Sequence, residues 1–77
     1  SHTQAFRDNY GNDYYFSYNT LVAVHTNEGE EVIHKNIWGK TTGKHLNWIN
    51  PDHSIRLSKE DFNATINRLK LNLEVMK

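Results

Sequence analysis

The stretch that decides the fold is YYFSYNTLVAVHTNEGEEVIHKNIW, residues 14–38. Its first half, YYFSYNTLVAVHT, is rich in aromatic and β-branched residues, a composition that favours a β-strand. TNEG, residues 26–29, then supplies a turn in which Gly29 can adopt a positive φ, and EEVIHKNIW returns as a second strand. We therefore predict a β-hairpin that combines a type I turn with a bulge.

The turn also sets the register of this hairpin. If Thr26 pairs with Glu30, the pairs farther along the strands are Val24 with Val32, Val22 with His34 and Tyr18 with Trp38. The opposite face carries Leu21, Ala23 and Ile33, so both faces are partly apolar. Because large exposed apolar patches are unusual on monomers, we expect one face to cover the helices and the other to meet a second copy or a partner.

Three elements follow the hairpin. TTGKHLNWIN, residues 41–50, predicts a short helix that Thr41 or Thr42 caps and that Pro51 ends. HSIRLS, residues 53–58, predicts a short third strand. Residues 58–77 predict a longer helix with Ser58 as its N-cap and one apolar stripe, made of Phe62, Ile66, Leu69, Leu73 and Met76.

The segment before the hairpin lacks a regular pattern. SHTQAFRDNYGND, residues 1–13, is polar and predicts a flexible N-terminal segment, in which Ser1 and His2 are expected to be left over from expression. Residues 14–77 then form a single α+β domain in the order β-β-α-β-α. We expect its short and long helices to lie on one face of a small antiparallel sheet.

Composition limits the class of protein. The 77 residues include no Cys, and nine Lys and Arg balance nine Asp and Glu, which argues against a general polyanion binder. A chain this short buries only about 60% of its unfolded surface, so we expect a homo-oligomer. No apolar run approaches the length of a membrane span. Residues 38–57 contain Lys40, Lys44 and Arg56 against Asp52 alone, so any basic patch centres on the stretch WGKTTGKH, residues 38–45.

The motif WGKTTGKH, residues 38–45, allows two interpretations. Gly39-Lys40-Thr41 matches the end of a phosphate loop, but the first glycine of that loop would fall at His34, which argues against NTPase activity. The start of a helix can still bind an anion through its amides and dipole, and the candidate residues are Lys40, Thr41, Thr42, Lys44 and His45. Alternatively, the threonines only cap the helix and the cations are only solvated.

Aromatic residues form the other unusual group. Exposed rings stack on bases or anchor protein interfaces, and the candidate interface residues are Tyr14, Tyr15, Tyr18 and Trp38. A thin sheet can instead use such residues to fill its core. Tyr14 and Tyr15 are adjacent and point to opposite faces, so at least one of them is expected near solvent or a partner.

Catalytic and metal-binding patterns are weak. His25, His34, His45 and His53 form no i,i+4 pair, and without Cys we expect no metal site. The spacing of serines, histidines and acids selects no nucleophile and base, so we expect no catalytic residue, no cofactor and no enzymatic activity.

Two stretches together resemble small uncharacterised proteins of bacteriophages and other mobile elements. The first is Phe16–Ala23, which follows a YSYxTxVA strand pattern except for Phe16, and the second is Thr41–His45, which follows a TTxxH helix start. The resemblance implies no established activity. It implies a phage setting, and therefore the cytoplasm of an infected bacterium.

These observations lead to two functional hypotheses. The first is a small non-enzymatic, phage-type accessory protein that binds a host or phage macromolecule, with a protein partner expected and no membrane. The second is a module that binds a nucleotide or the phosphates of a nucleic acid at the helix start, residues 39–45.

Overall fold

A four-stranded antiparallel sheet and two helices make up the computed structural model, which describes residues 3–71. The strands are β1 (Thr3–Arg7), β2 (Asp13–Ser17), β3 (Thr20–His25) and β4 (Glu31–Ile33). They lie in the order β1-β2-β3-β4. The helices are α1 (Lys40–Ile49) and α2 (Lys59–Leu69), with a 3₁₀ turn at His53–Ile55 between them. The predicted α+β class is confirmed.

The predicted first strand of the hairpin is in fact two strands. The chain reverses at Tyr18 and Asn19, where Tyr18 adopts a left-handed φ of 57°, and this turn separates β2 from β3. The predicted pairing of Tyr18 with Trp38 is therefore wrong. Nearer the β3–β4 turn the predicted register is confirmed, because Val24 pairs with Val32.

From Thr3 onward the N-terminal segment is also part of the sheet, which corrects the prediction of a flexible segment over the described residues 3–13. Thr3–Arg7 pair with Asp13–Ser17 along the whole length of β1. Asp8 holds the turn between the two strands: its Oδ1 accepts the N–H groups of Tyr10 and Asn12, at 2.9 and 3.0 Å. Such an Asx turn depends on local side-chain hydrogen bonds, and the spacing of apolar residues in the sequence does not reveal it.

The predicted third strand at residues 53–58 is wrong. The Asp52 side chain accepts the Ser54 N–H at 2.9 Å and starts the 3₁₀ turn instead. After that turn Leu57 makes a single parallel bridge to His34, with its N–H donating to the Ile33 carbonyl at 2.8 Å.

The core lies on both faces of the sheet. Since successive side chains of a strand point to opposite faces, Tyr14, Val24 and Val32 share one face, where they pack with Phe62 and Ile66 of α2. The other face carries the second cluster, which consists of Val22, Ala23, Ile33 and Leu46 of α1. The helices therefore lie on opposite faces, not on one. The apolar face expected to meet a second copy is covered by the chain's own helix, and the homo-oligomer stays a prediction.

A β-bulge changes which residues of β3 face each helix. The register between β2 and β3 shifts between Tyr15 and Phe16, so Tyr15 pairs with Ala23 and Phe16 with Leu21. Val22 is the extra residue, and it joins Ala23 in the α1 cluster, whereas Leu21 packs against the α2 cluster. Ser17, the last residue of β2, lies on the side of α1 because it follows Tyr15 by two residues.

Helix α2 begins as predicted and ends earlier. The Ser58 hydroxyl accepts the Asp61 N–H at 3.1 Å, which confirms the N-cap. The helix stops at Leu69 because Lys70 adopts a left-handed conformation, with φ 51° and ψ 41°. The stripe residues Phe62, Ile66 and Leu69 pack in the core as predicted. Leu73 and Met76 lie outside the described residues.

The first prediction tests the packing of α1. Leu46 is fully buried between α1 and the sheet, so Leu46→Ala should lower the free energy of unfolding by about 2–5 kcal/mol. Thr41→Ala, on the exposed side of the same helix, should change it by less than about 0.5 kcal/mol. Urea unfolding of both variants measures the difference. Equal losses would contradict this orientation of the helix.

The second prediction concerns Asp8 and acid. Burial raises the pKa of the Asp8 carboxyl, but the four hydrogen bonds that it accepts outweigh burial and lower the pKa from 3.8 to about 2. Because the folded pKa lies below the ordinary value, the carboxylate stabilises the fold above about pH 4, and this contribution is lost as the pH falls through about 2.

We therefore expect Asp8→Asn to unfold at lower urea than the wild type near neutral pH, and the two midpoints to converge as the pH approaches about 2. Urea titrations at several pH values measure the gap. A gap that stays constant over this range would show that the Asp8 charge does not support the turn.

Candidate functional site

The candidate site surrounds the first turn of α1, whose start differs from the prediction. The N-cap is Gly39, and no side chain caps the helix, so neither Thr41 nor Thr42 is the capping residue. Asn36 organises this loop: its Oδ1 accepts the Trp38 and Gly39 N–H groups at 3.0 and 3.2 Å. Asn36 therefore holds the loop that leads into α1, whereas the helix itself starts without a side-chain cap.

Gly43 lets Asn36 lie against the helix. A Cβ at residue 43 would stand 2.9 Å from Asn36 Nδ2, closer than such atoms approach in proteins. Asn36 Nδ2 donates to the Gly39 carbonyl at 2.8 Å, so any residue larger than glycine at position 43 would displace this hydrogen bond.

Thr42 and His45 belong to a buried polar contact between α1 and β2. Ser17 Oγ lies 3.0 Å from Thr42 Oγ1 and 2.6 Å from His45 Nδ1. Ser17 and Thr42 are buried, and both contacts run from the helix to the sheet. The side chains of these two candidate anion-binding residues therefore help to fix the position of α1 on the sheet.

Ser17 and His45 are within hydrogen-bonding distance, as a nucleophile and its base would be. The Ser17 hydroxyl, however, lacks the access to a substrate that catalysis needs. Ser17 is only 2% exposed, and its hydroxyl already contacts Thr42. A substrate carbonyl has to reach the nucleophile, and burial of Ser17 prevents this. Over residues 3–71, no group of three or more His, Cys, Asp or Glu side chains is placed to hold a metal ion.

A basic groove runs along the opposite side of α1. We use this name for a cavity of about 630 Å³ that is lined by Lys35, Asn36, Lys40, Gly43, Lys44, Asn47, His53 and Arg56. Lys40, Gly43, Lys44 and Asn47 recur at helical spacing and form one stripe of α1. In the part of the chain that the structure describes, four Lys and Arg side chains line this groove and no acidic side chain does.

Arg56 forms the inner wall of the groove. It is 9% exposed, and its Nη2 donates to Asn47 Oδ1 at 2.8 Å and to the Asn50 carbonyl at 3.3 Å. Its Nε is buried and has no hydrogen-bond partner among the described residues. A buried guanidinium is costly unless an anion neutralises it. Arg56 forms no ion pair within residues 3–71, so it adds positive charge to the groove.

The other charges of the protein leave the groove positive. The three ion pairs found within residues 3–71 all lie elsewhere, and they are Arg7–Asp13, His25–Glu31 and Arg68–Glu30. Asp52 and Glu60 are the acids nearest in sequence to Arg56, each four residues away. Hydrogen bonds from Ser54 are the main reason that the Asp52 pKa is lowered, and the charges of His53 and Arg56 contribute less.

The start of α1 adds to this positive potential. Its first turn contains no acidic residue and includes Lys40, whereas the first turn of α2 contains Glu60 and Asp61. The helix dipole places partial positive charge at an N-terminus, so the α1 arrangement is unfavourable until an anion is near. The basic patch predicted around residues 38–45 is therefore present, although it lies on the side of α1 and includes Lys35 and Arg56 from other segments.

The acidic β3–β4 turn lies away from the first turn of α1. Thr42, near the start of α1, contacts Ser17, and Asn50, at its end, donates to Glu31 Oε2 at 3.2 Å. Glu28 and Glu30 therefore belong to the other end of the molecule, where Glu30 is paired with Arg68. The acidic side chains of this turn do not reach the first turn of α1.

The four aromatic residues predicted to form an interface do not lie on one surface. Tyr14 is fully buried in the core, which contradicts its assignment to an interface. Tyr15 is half-buried and packs beside Ala23. Tyr18 and Trp38 are exposed, and both line a pocket of about 340 Å³ together with Lys40, Thr41 and Thr42.

Several residues of the site and its surroundings were not predicted from the sequence. Lys35 and His53 carried no local signal, because the parallel bridge at Leu57 and the turn before it bring them to α1. Asn36 lies before the helix, where no spacing marks it as the residue that holds the loop. Trp48 was detectable, since Leu46 and Ile49 define the buried side of α1 and leave residue 48 toward solvent.

Comparisons with known proteins identify a family for this chain but no activity. Within residues 3–71 neither helix is long and apolar enough to cross a membrane. No curated protein and no solved structure matches the chain. Residues 1–64 match a protein family of unknown function, DUF8033. Because this match covers well over half of the 77 residues, the chain belongs to the DUF8033 family.

Proposed function

We propose that this is a small non-enzymatic accessory protein that binds the phosphates of a nucleic acid through the basic groove. The observation that carries the proposal is the lining of that groove: Lys35, Lys40, Lys44 and Arg56 meet there without an acidic side chain from the described residues. Phosphate contacts from Lys and Arg supply most of the affinity of sequence-independent nucleic-acid binding.

The spread of the cations favours a repeating polyanion over a single nucleotide. Lys40 and Lys44 are separated by one turn of α1, about 6 Å along its axis, and Lys35 and Arg56 belong to other segments. A phosphate loop would instead concentrate backbone N–H groups on one phosphate group. The proposed site therefore uses the side of α1 more than its first amides.

The charge pattern favours one surface for a polyanion. Lys and Arg side chains gather in the groove without an acidic side chain from the described residues, whereas at the β3–β4 turn Arg68 pairs with Glu30 at 2.8 Å. The protein would bind through this one surface and not as a general polyanion binder. The resemblance to phage proteins supports a setting in the cytoplasm of an infected bacterium, where host and phage nucleic acids are both present.

A protein partner is the second candidate function. The exposed aromatic residues Tyr18 and Trp38 favour it. Their exposed fractions are 47% and 40%, and both residues line the same pocket. Aromatic side chains with a polar tip are enriched at protein interfaces. A partner that binds there need not carry negative charge, so the salt dependence of binding separates the two candidates.

The third prediction measures that salt dependence. A fluorescently labelled oligonucleotide should bind at low salt, and log K should fall linearly with log salt concentration. Lys40→Gln/Lys44→Gln should weaken binding and reduce the slope by about 1.4 for a single strand, because each lost phosphate contact contributes about 0.7. Fluorescence anisotropy over a salt series gives both quantities.

The matched control removes two lysines elsewhere. Lys59→Gln/Lys70→Gln changes the net charge by the same amount but affects exposed residues of α2 and its C-cap, outside the groove. We expect its salt slope to equal that of the wild type. No binding by the wild type at low salt, or the same loss in both double variants, would refute the groove as a phosphate site.

A further inference from the structure

Two smaller pockets adjoin the basic groove, and each shares one lysine with it. Lys40 also lines the pocket that contains Tyr18 and Trp38. Lys44 also lines a pocket of about 250 Å³ that contains His45 and Trp48. Lys40 and Lys44 of the basic groove therefore each lie near aromatic rings.

These rings are exposed and yet held in place. The Trp38 ring lies 4.6 Å, centroid to centroid, from the buried ring of His34, and the Tyr18 ring lies 6.0 Å from that of His45. Each ring is therefore supported by the fold on one side while a large part of its surface stays open.

Trp48 is the most exposed of the three rings, at 69%. It follows Lys44 by one turn of α1, so the two side chains are neighbours on the helix surface. The buried side of α1 is formed by Thr42 and Leu46, and Trp48 contributes nothing to it. Its open ring beside a groove cation has the geometry of a stacking platform.

We propose that the groove and its flanking rings bind a single-stranded nucleic acid, with phosphates at Lys40 and Lys44 and bases stacked on Trp48 and Trp38. This inference rests on the proposed function and specifies its ligand. Single-strand binders combine a positive groove with aromatic platforms, because every unpaired base offers a face for stacking. In a duplex the bases already stack on each other, so the rings have nothing to bind.

The test compares one strand with its duplex. The probes are an oligo-dT of about 15 nucleotides, near the upper limit of a small-domain site, and the same strand annealed to oligo-dA. We expect the single strand to bind more tightly and to quench tryptophan fluorescence. Trp48→Ala should weaken binding of the single strand about 5- to 150-fold, the loss of one stacked base. The salt slope and duplex affinity should stay unchanged, because no charge is removed.

Two further variants separate stacking from loss of structure. Trp48→Phe keeps a ring at the same position and should restore most of the affinity that Trp48→Ala loses. Tyr10→Ala removes a ring that is 72% exposed and lies outside the three pockets beside α1, so it should leave binding unchanged. All three variants should unfold at the wild-type temperature, since neither ring is part of the core.

The outcomes distinguish the inference from the proposed function. Equal affinity for strand and duplex, with Trp48→Ala neutral, would overturn base stacking and leave phosphate binding intact. No binding to either probe at low salt would overturn both. An oligoglutamate peptide that displaces the single strand at equal charge concentration would also overturn the inference, since charge alone would then account for binding.

Discussion

The rest of the structure depends on the two-sided apolar character of β3 and β4. Val22, Ala23 and Val24 are consecutive and all buried, and they cannot point to one face. A sheet whose central strand is apolar on both faces has to be covered on both. One helix therefore packs against each face, and neither helix can leave without exposing one of the two clusters. The position of α1, and with it the basic groove, follows from this constraint.

The polar contacts then determine which side of α1 remains exposed. Ser17 fixes the first half of the helix through Thr42 and His45, and Arg56 fixes the second half through Asn47. Once the buried side is set, the lysines of the helix are left on its open side beside the 53–57 segment. The groove is thus produced by the packing of α1 and by the return of the chain after Pro51, not by a contiguous motif.

The sequence predicts the elements whose signals are local. The β3–β4 register, the Ser58 cap and the α2 stripe all depend on residues within about one or two helical turns of each other. The turn at Tyr18 escaped prediction because a tyrosine with positive φ carries no sequence signal. For the site, composition located Lys40, Lys44 and Arg56. The motif at residues 38–45 suggested anion binding by Thr42 and His45. Their actual partner, Ser17, is 25 and 28 residues away and could not be recognised from the motif.

The glycine inside α1 affects how the protein folds. Gly43 is required for the close approach of Asn36, yet a glycine in a helix interior costs about 1 kcal/mol relative to alanine. An isolated helix of ten residues is already too short to persist in water, so α1 forms only as it docks on the sheet. Formation of α1 is therefore coupled to formation of the sheet. The cationic surface consequently exists only in the folded domain, and an excised α1 peptide would not reproduce it.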